Sequence, residues 1–139
     1  MGLGWGDDGQ IGNGTYSSFM QSIIQTTPVK IMKDVVSIST GYAHSMAIKK
    51  DNTLWTWGYN YNRQLGRSED ELALYTNIVG DSIIITPVKV LEDVISVSAG
   101  EYYSMALKSN GTLWTWGDNK YGQCGNGTSS CIPKPVKVS

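Results

Sequence analysis

Thr53-Leu54-Trp55-Thr56-Trp57-Gly58 returns letter for letter as Thr112-Leu113-Trp114-Thr115-Trp116-Gly117, 59 residues on (112 − 53). The likeness spreads outward from that stretch. Thr27-Pro28-Val29-Lys30 returns as Thr86-Pro87-Val88-Lys89, Ser45-Met46-Ala47 as Ser104-Met105-Ala106, and Asn60, Gln64 and Gly66 as Asn119, Gln123 and Gly125. Aligned without a gap, residues 27–66 and 86–125 share 22 identities in 40 positions. Self-similarity at a fixed period marks a repeat architecture, in which each unit buries its apolar faces by stacking on the next.

Within a repeat the pattern is that of strands. Residues 35–39 are rich in β-branched side chains, Met46 and Ile48 alternate with Ser45, Ala47 and Lys49, and Trp55 and Trp57 alternate with Leu54 and Thr56. Runs of about five residues with period two, bounded by turn residues, predict strands. Asn110-Gly111 is a preferred hairpin dipeptide, and Asp51-Asn52 stands in its place in the other copy. Pro28-Val29-Lys30 and Pro87-Val88-Lys89 predict a fourth strand opening with proline, over 86–90 in the first full repeat, as an edge strand can. Residues 69–75 are expected to make a turn or two of helix at most. Four short antiparallel strands per repeat describe an all-β fold of propeller blades.

Three segments follow. Residues 1–34 read as the back half of a repeat, with Trp5-Gly6 set against Trp57-Gly58 and a link to Gln10 two residues shorter than in the later copies. Residues 35–93 form a complete repeat, and 94–139 a second that ends at its fourth strand. Such a number of repeats cannot close a propeller, which typically needs four to eight blades. Either the chain is part of a longer protein or copies associate through open blade edges, where unpaired strands invite other chains.

A net charge of −1 gives no basic footprint for nucleic acid, so no nucleic-acid partner is expected. The longest apolar runs are far too short to span a bilayer, and Met1-Gly2-Leu3-Gly4-Trp5-Gly6 lacks the basic start and apolar stretch of a signal peptide. Neither a membrane association nor a compartment is implied. Cys124 falls where the sister repeat has Leu65, which favours a small buried hydrophobe, with a short-loop disulfide to Cys131 as the alternative.

The pattern Val-x-x-Ile-x-x-Gly-x-x-His-Ser-x-Ala-Ile, then Leu-x-x-Trp-Gly-x-Asn, then Gln-Leu-Gly resembles the regulator of chromosome condensation repeat. Val35, Ile38, Gly41, His44, Ser45, Ala47, Ile48, Leu54, Trp57, Gly58, Asn60, Gln64, Leu65 and Gly66 carry it. The second copy keeps Gly100, Trp116, Gly117 and Gln123, and departs at Tyr103 for the histidine and Cys124 for the leucine. Gly41, Trp57, Gly58, Gly100, Trp116 and Gly117 are read as the structural blade motif. The resemblance implies blades like those of a seven-bladed propeller. It also implies, as an alternative function, nucleotide exchange on a small GTPase, the activity of the founding member.

With strands running up, down, up and down, the loops at 40–44 and 58–86 emerge on one side and the tight turns at 50–52 and 109–111 on the other. The first side gathers Tyr42, Tyr59, Tyr61, Tyr102, Tyr103 and Tyr121 with Arg63, Glu101 and Lys120. Tyrosine and arginine are enriched at protein interfaces because they offer large contact area with a polar tip. Tyr42, Tyr59, Tyr61, Arg63, Glu101, Tyr102, Lys120 and Tyr121 are therefore the candidate partner-binding residues of a non-enzymatic scaffold whose partner is a protein. The four strand tryptophans are expected to pack blade against blade. His44, the single histidine, shares its place with Tyr103, which predicts a hydrogen bond within the blade. No serine nucleophile with a base, paired histidines or phosphate loop is present, so no catalytic residue, metal or cofactor is expected. The acids at 68–71 read as a solvated loop, and Asn13, Asn110 and Asn126, each in Asn-Gly-Thr, as turn residues.

Overall fold

The structure, a computed structural model, describes residues 2–17, 22–67, 78–79 and 83–138. Among them the chain is all-β: β1 (Gly2–Trp5), β2 (Ile24–Val29), β3 (Val35–Thr40), β4 (His44–Lys49), β5 (Leu54–Tyr59), β6 (Ile78–Val79), β7 (Ile83–Leu91), β8 (Val94–Ala99), β9 (Tyr103–Lys108), β10 (Leu113–Gly117) and β11 (Ile132–Lys137). The segment at 69–75 and the acids at 68–71 lie outside the described residues.

The strands form three antiparallel sheets, ordered β1-β2, β3-β4-β5-β7-β6 and β8-β9-β10-β11. Each of the last two has the four-strand meander of a blade. The five-stranded sheet carries one strand more than expected, because backbone at Ile78 and Val79 pairs with Ile84 and Ile83 on the outer strand β7.

The fourth strands start earlier than the prolines suggest, and the reason is visible in the register. Gly2 pairs with Val29 and Gly4 with Gln25; Thr56 pairs with Val88 and Gly58 with Ile84; Thr115 pairs with Val136 and Gly117 with Ile132. In each sheet the outer strand carries extra residues opposite one, and Pro28, Pro87, or Pro133 and Pro135 fall inside that bulge. Proline cannot donate to a ladder, so a bulge on an outer strand accommodates it without breaking the strand. The glycine opposite adopts φ of 107°, 102° and 103° at Gly4, Gly58 and Gly117. At Gly58 a Cβ would also lie 2.5 Å from the Ala43 carbonyl oxygen, so the position admits glycine alone.

This register corrects the alignment of the first segment. Gly4, six residues before Gln10, is the counterpart of Gly58, six before Gln64, so there is no shortened link. Leu3 takes the place of Trp57, and Trp5 that of Tyr59, each pairing with the start of its outer strand at Ile24 or Ile83.

The sheets are joined by a repeated lock. The Gln10 carbonyl accepts from Ser45 Oγ at 2.9 Å and Trp57 Nε1 at 2.8 Å, both on the second sheet. The Gln64 carbonyl accepts from Ser104 Oγ at 2.7 Å and Trp116 Nε1 at 2.8 Å, both on the third. Each indole lies against the glycine two residues after the glutamine: a Cβ on Gly12 or Gly66 would sit 2.5 Å or 2.9 Å from it. Around the second lock Met46, Ile48 and Leu54 pack with Val94, Ala106, Trp116, Cys124 and Ile132, all buried. Burial of side chains of this size contributes about 1.5–3 kcal/mol each. Both faces of β4 are covered, so its apolar alternation ends up buried throughout.

The second tryptophan of each pair donates its N–H to a carbonyl of the neighbouring sheet, and Trp114 packs half-buried against the core between the second and third sheets. The N–H groups of Trp55 and Trp114 instead bond Thr53 and Thr112 hydroxyls at 2.9 Å, with Lys49 and Lys108 ammonium groups 4.7 Å and 5.1 Å from the rings. Cys124 is buried at the Leu65 position and both thiols are free. Asn13, Asn110 and Asn126 each accept from the amide and hydroxyl of the threonine two residues on, which makes them turn residues.

His44 bridges sheets, where a bond within one blade was expected. Ser104 Oγ donates to Gln64, so at 3.0 Å it accepts from His44 Nε2–H. That leaves Nδ1 buried as a bare acceptor with no partner among the described residues. Burial lowers the imidazole pKa to about 4. Unfolded chain with an ordinary histidine at 6.5 therefore binds the extra proton between those values, and stability falls as pH drops through that window. The unfolding free energy from urea titrations should be flat above pH 7 and fall by about 2 kcal/mol between pH 7.5 and 5; His44→Tyr, taking the Tyr103 arrangement, should flatten the profile.

The lock yields a second expected outcome. Trp116→Phe removes a buried donor to Gln64 and should cost about 1–2 kcal/mol in a denaturant titration. Trp114→Phe removes only a half-buried contact with Thr112 and should cost less than about 1 kcal/mol. Equal losses would show that the indole N–H contributes nothing to the joint.

Candidate functional site

Because neighbouring strands are antiparallel, the β3–β4, β5–β7, β8–β9 and β10–β11 connections leave the same end of the sheets. Two of these loops are shaped by a ring folded over a glycine. A Cβ on Gly41 would lie 2.2 Å from His44 Cε1, and one on Gly100 2.1 Å from Tyr103 Cε1. The Gly41 and Gly100 amides donate to the carbonyls of His44 and Tyr103 at 2.9 Å and 2.8 Å, closing each loop. Tyr103 is thereby packed against the core between sheets, which removes it from the exposed set. The residues at the loop tips, Tyr42, Glu101 and Tyr102, are pushed outward.

The two tips touch. Tyr42 N–H donates to the Glu101 carbonyl at 3.2 Å, and the Tyr42 and Tyr102 rings meet at 5.6 Å between centroids, tilted by 54°. Tyr59 N–H donates to the Ala43 carbonyl at 2.8 Å, which sets β5's end beside the same loop, and its ring stacks with Tyr61 at 6.3 Å. The hydroxyl of Tyr102 is pushed above the ordinary tyrosine range, first by desolvation, then by the Glu101 carboxylate, Tyr42 and Tyr59. Tyr59 is raised in the same sense by burial, by Asp8 and by Tyr61. Two tyrosine pairs, Tyr42 with Tyr102 and Tyr59 with Tyr61, thus lie at the same end of the sheets, with Glu101 at the tip that holds the first pair. Tyr42 is 72% exposed and Tyr61 69% exposed, so this end offers broad aromatic surface to solvent.

The remaining candidates stand apart. Lys120 lies with its ammonium 5.6 Å from the ring of Tyr121, which is 83% exposed, on the third sheet's loop. Arg63 occupies a left-handed backbone position at φ 63°, where the other sheets have Gly9 at 69° and Gly122 at 75°. Burial raises the Cys131 thiol, and the charge of Arg63 acts against that rise. Cys131 Sγ itself donates to the Asn62 carbonyl at 3.1 Å.

Two residues of the face were missed. Trp5, at the Tyr59 position, is 66% exposed and lines a cleft with Tyr42; its Nε1 donates to Asp7 Oδ2 at 2.6 Å. Asp8, whose carboxyl is raised by burial and by Asp7, raises Tyr59 in turn. Counting back from Gln10 as from Gln64 finds both positions, whereas matching the Trp-Gly letters hides them. Among the described residues no group of three histidines, cysteines or carboxylates is placed to hold a metal ion, and no helix is long and apolar enough to cross a membrane.

Known proteins share this architecture. The sequence pattern described as Regulator of chromosome condensation (RCC1) repeat matches residues 2–48, 51–107 and 110–139, and a narrower form of it matches 35–64 and 94–123. The human E3 ubiquitin-protein ligase HERC2 is 35% identical over 136 residues, covering 96% of this chain and 3% of HERC2. The ultraviolet-B receptor UVR8 of Arabidopsis thaliana is 29% identical over 139 residues, covering 96% of this chain and 29% of the receptor. Among solved structures, Prp20p of Saccharomyces cerevisiae, described with its binding to Gsp1p and histones, superposes with a TM-score of 0.79 at 22% identity. That match covers 97% of this chain and 33% of Prp20p, so the chain spans about a third or less of the relatives it resembles. The repeat pattern, the meander sheets and the locks between them agree: this chain belongs to the regulator of chromosome condensation repeat family and is built of propeller blades.

Proposed function

We propose that the chain is a non-enzymatic scaffold that presents its aromatic loop face to a protein partner. The observation that carries this reading is the contact of Tyr42 with Tyr102 across two sheets, with the stacked Tyr59 and Tyr61 at the same end of the sheets. Exposed aromatic rings held by backbone bonds to a rigid scaffold lose little entropy on binding, which is why tyrosine is favoured at interfaces. Residues 35–93 and 94–139 act as the two repeats that supply the face, and residues 1–34 as part of a third. Against a partner identified by photo-cross-linking from position 61, the combined Tyr42→Ala, Tyr59→Ala and Tyr102→Ala variant should lose affinity about tenfold or more. Its thermal midpoint should stay close to the parent's, since none of the three rings belongs to the core. Unchanged affinity would move the binding surface elsewhere. Accelerated release of a mant-labelled guanine nucleotide from a small GTPase would replace the scaffold reading with exchange.

Self-association is a second reading, favoured by one feature. Among the described residues β1 pairs only with β2, and its Leu3 and Trp5 help to line a cavity of about 350 Å³ with Ile11, Val35, Ile38 and Trp57. Leu3 is 62% and Ile38 71% exposed there. An open strand edge beside apolar surface favours pairing with another strand. Light scattering over a range of concentrations separates the cases: a discrete multimer supports assembly of copies, and a monomer excludes it.

A further inference from the structure

Besides the lock, the second sheet docks on the third through polar groups of its first hairpin and the turn that follows. The Val94 amide donates to the Asn52 carbonyl at 2.9 Å, the Ala99 amide to Ser39 Oγ at 2.9 Å, and the Tyr42 amide to the Glu101 carbonyl at 3.2 Å. His44 Nε2 reaches Ser104 Oγ at 3.0 Å, and Val97 packs on the core between the sheets. The receiving groups on the third sheet recur 59 residues earlier as the Val35 and Thr40 amides, the Tyr42 carbonyl and Ser45 Oγ, with Ile38 in the place of Val97. Val35, Ile38, Thr40, Tyr42 and Ser45 all line the cavity beside β1. On that side no equivalent contact reaches them from the described residues, and Ile38 stays exposed.

The strand edge agrees with the groove. β5 and β10, the counterparts of β1, each carry an outer strand on one edge and β4 or β9 on the other; among the described residues β1 carries β2 alone. By the register of its counterparts, a strand on the open edge sets a serine opposite Leu3 and a ring residue opposite Gly4. The groove therefore repeats, group for group, a surface that the same molecule shows covered by a hairpin.

We propose that this groove is a docking site for a β-hairpin of the 35–49 pattern supplied by a partner polypeptide. The hairpin's second strand pairs with β1, a serine on its first strand meets the Thr40 amide, its tip amide meets the Tyr42 carbonyl, and a histidine ring meets the Ser45 hydroxyl. Its apolar positions cover Ile38. Backbone pairing at an open edge supplies affinity, and the side-chain contacts supply selectivity. A second copy has no such hairpin to offer, since 35–49 and 94–108 are each paired into their own sheets. This inference stands apart from the aromatic face and names a different occupant for the β1 edge than a copy of the chain.

The probe is a labelled synthetic peptide of residues 33–53, closed by a lactam between the side chains of Asp34 and Lys50, which already pair at 3.5 Å. Closure is needed because an isolated hairpin is only marginally stable. In fluorescence anisotropy the full chain should bind this peptide and leave a closed peptide of scrambled order unbound. His44→Ala in the peptide should weaken binding about fivefold. Ile38→Asp in the chain sets a charge beneath the docked hairpin and should weaken binding about tenfold or more. Ile95→Asp, at an exposed position outside the groove, should change it less than about twofold. Melting curves establish that each variant is folded, and amide exchange followed by NMR should slow at Val35 and Thr40 when the peptide binds. A closed peptide that fails to bind, binds equally when scrambled, or is indifferent to Ile38→Asp overturns the proposal. A multimer of the chain alone, with the Val35 and Thr40 amides already protected, assigns the groove to a second copy and overturns it too. Either failure leaves the scaffold reading intact, because that reading is tested by the triple alanine variant at the loop face.

Discussion

One backbone carbonyl per blade holds the sheets in order. At Gln10 and again at Gln64 it accepts a serine hydroxyl and an indole N–H from the next sheet. These donors and acceptors are withdrawn from water by the stacking itself, and a buried group left unpaired would cost more than the bond contributes. The lock therefore works mainly as a specificity device: a blade docked out of register strands three polar groups at once. The glutamine side chain fixes the carbonyl in place. Its Oε1 accepts from the amide two residues earlier, from Asp8 in the first sheet, Asn62 in the second and Tyr121 in the third. The glycine two residues on supplies room for the indole.

The loop face follows from the same joint. His44 is bound to the hydroxyl of Ser104, itself a member of the lock, and folds over Gly41. That fold turns Tyr42 outward and brings it to the neighbouring tip, where Tyr103 has folded over Gly100 and displaced Glu101 and Tyr102 in the same direction. The rings on the surface are thus positioned by rings in the interior. A face built this way has little freedom to collapse, and that rigidity is what the proposed scaffold role would draw from propeller blades.

Much of this was legible in the letters. Period-two alternation, turn dipeptides and a repeat copied at 22 of 40 positions identify meander blades, because backbone pairing and alternate-face burial impose those patterns locally. The side of the sheets on which Tyr42, Tyr59, Tyr61 and Tyr102 emerge also follows from strand alternation alone. Two local signals misled. Proline was read as a strand's beginning because its missing N–H is a local property, whereas the bulge that tolerates it belongs to two strands together. Trp5-Gly6 was matched to Trp57-Gly58 by letter, although Gln10 carries the lock and sets the true spacing.

Sequence by itself determined the repeat, the strand type and the glycines at positions where side chains are excluded, since each depends on residues close along the chain. Tertiary structure alone decided which side chains meet. That His44 Nε2 faces Ser104 across 60 positions, and that Tyr42 leans on Tyr102 while Tyr103 is buried, are consequences of sheet-on-sheet docking. Adjacent letters such as Tyr102 and Tyr103 meet opposite fates because Tyr102 stands at a loop tip while the ring of Tyr103, the first residue of β9, folds over Gly100 onto the core between sheets.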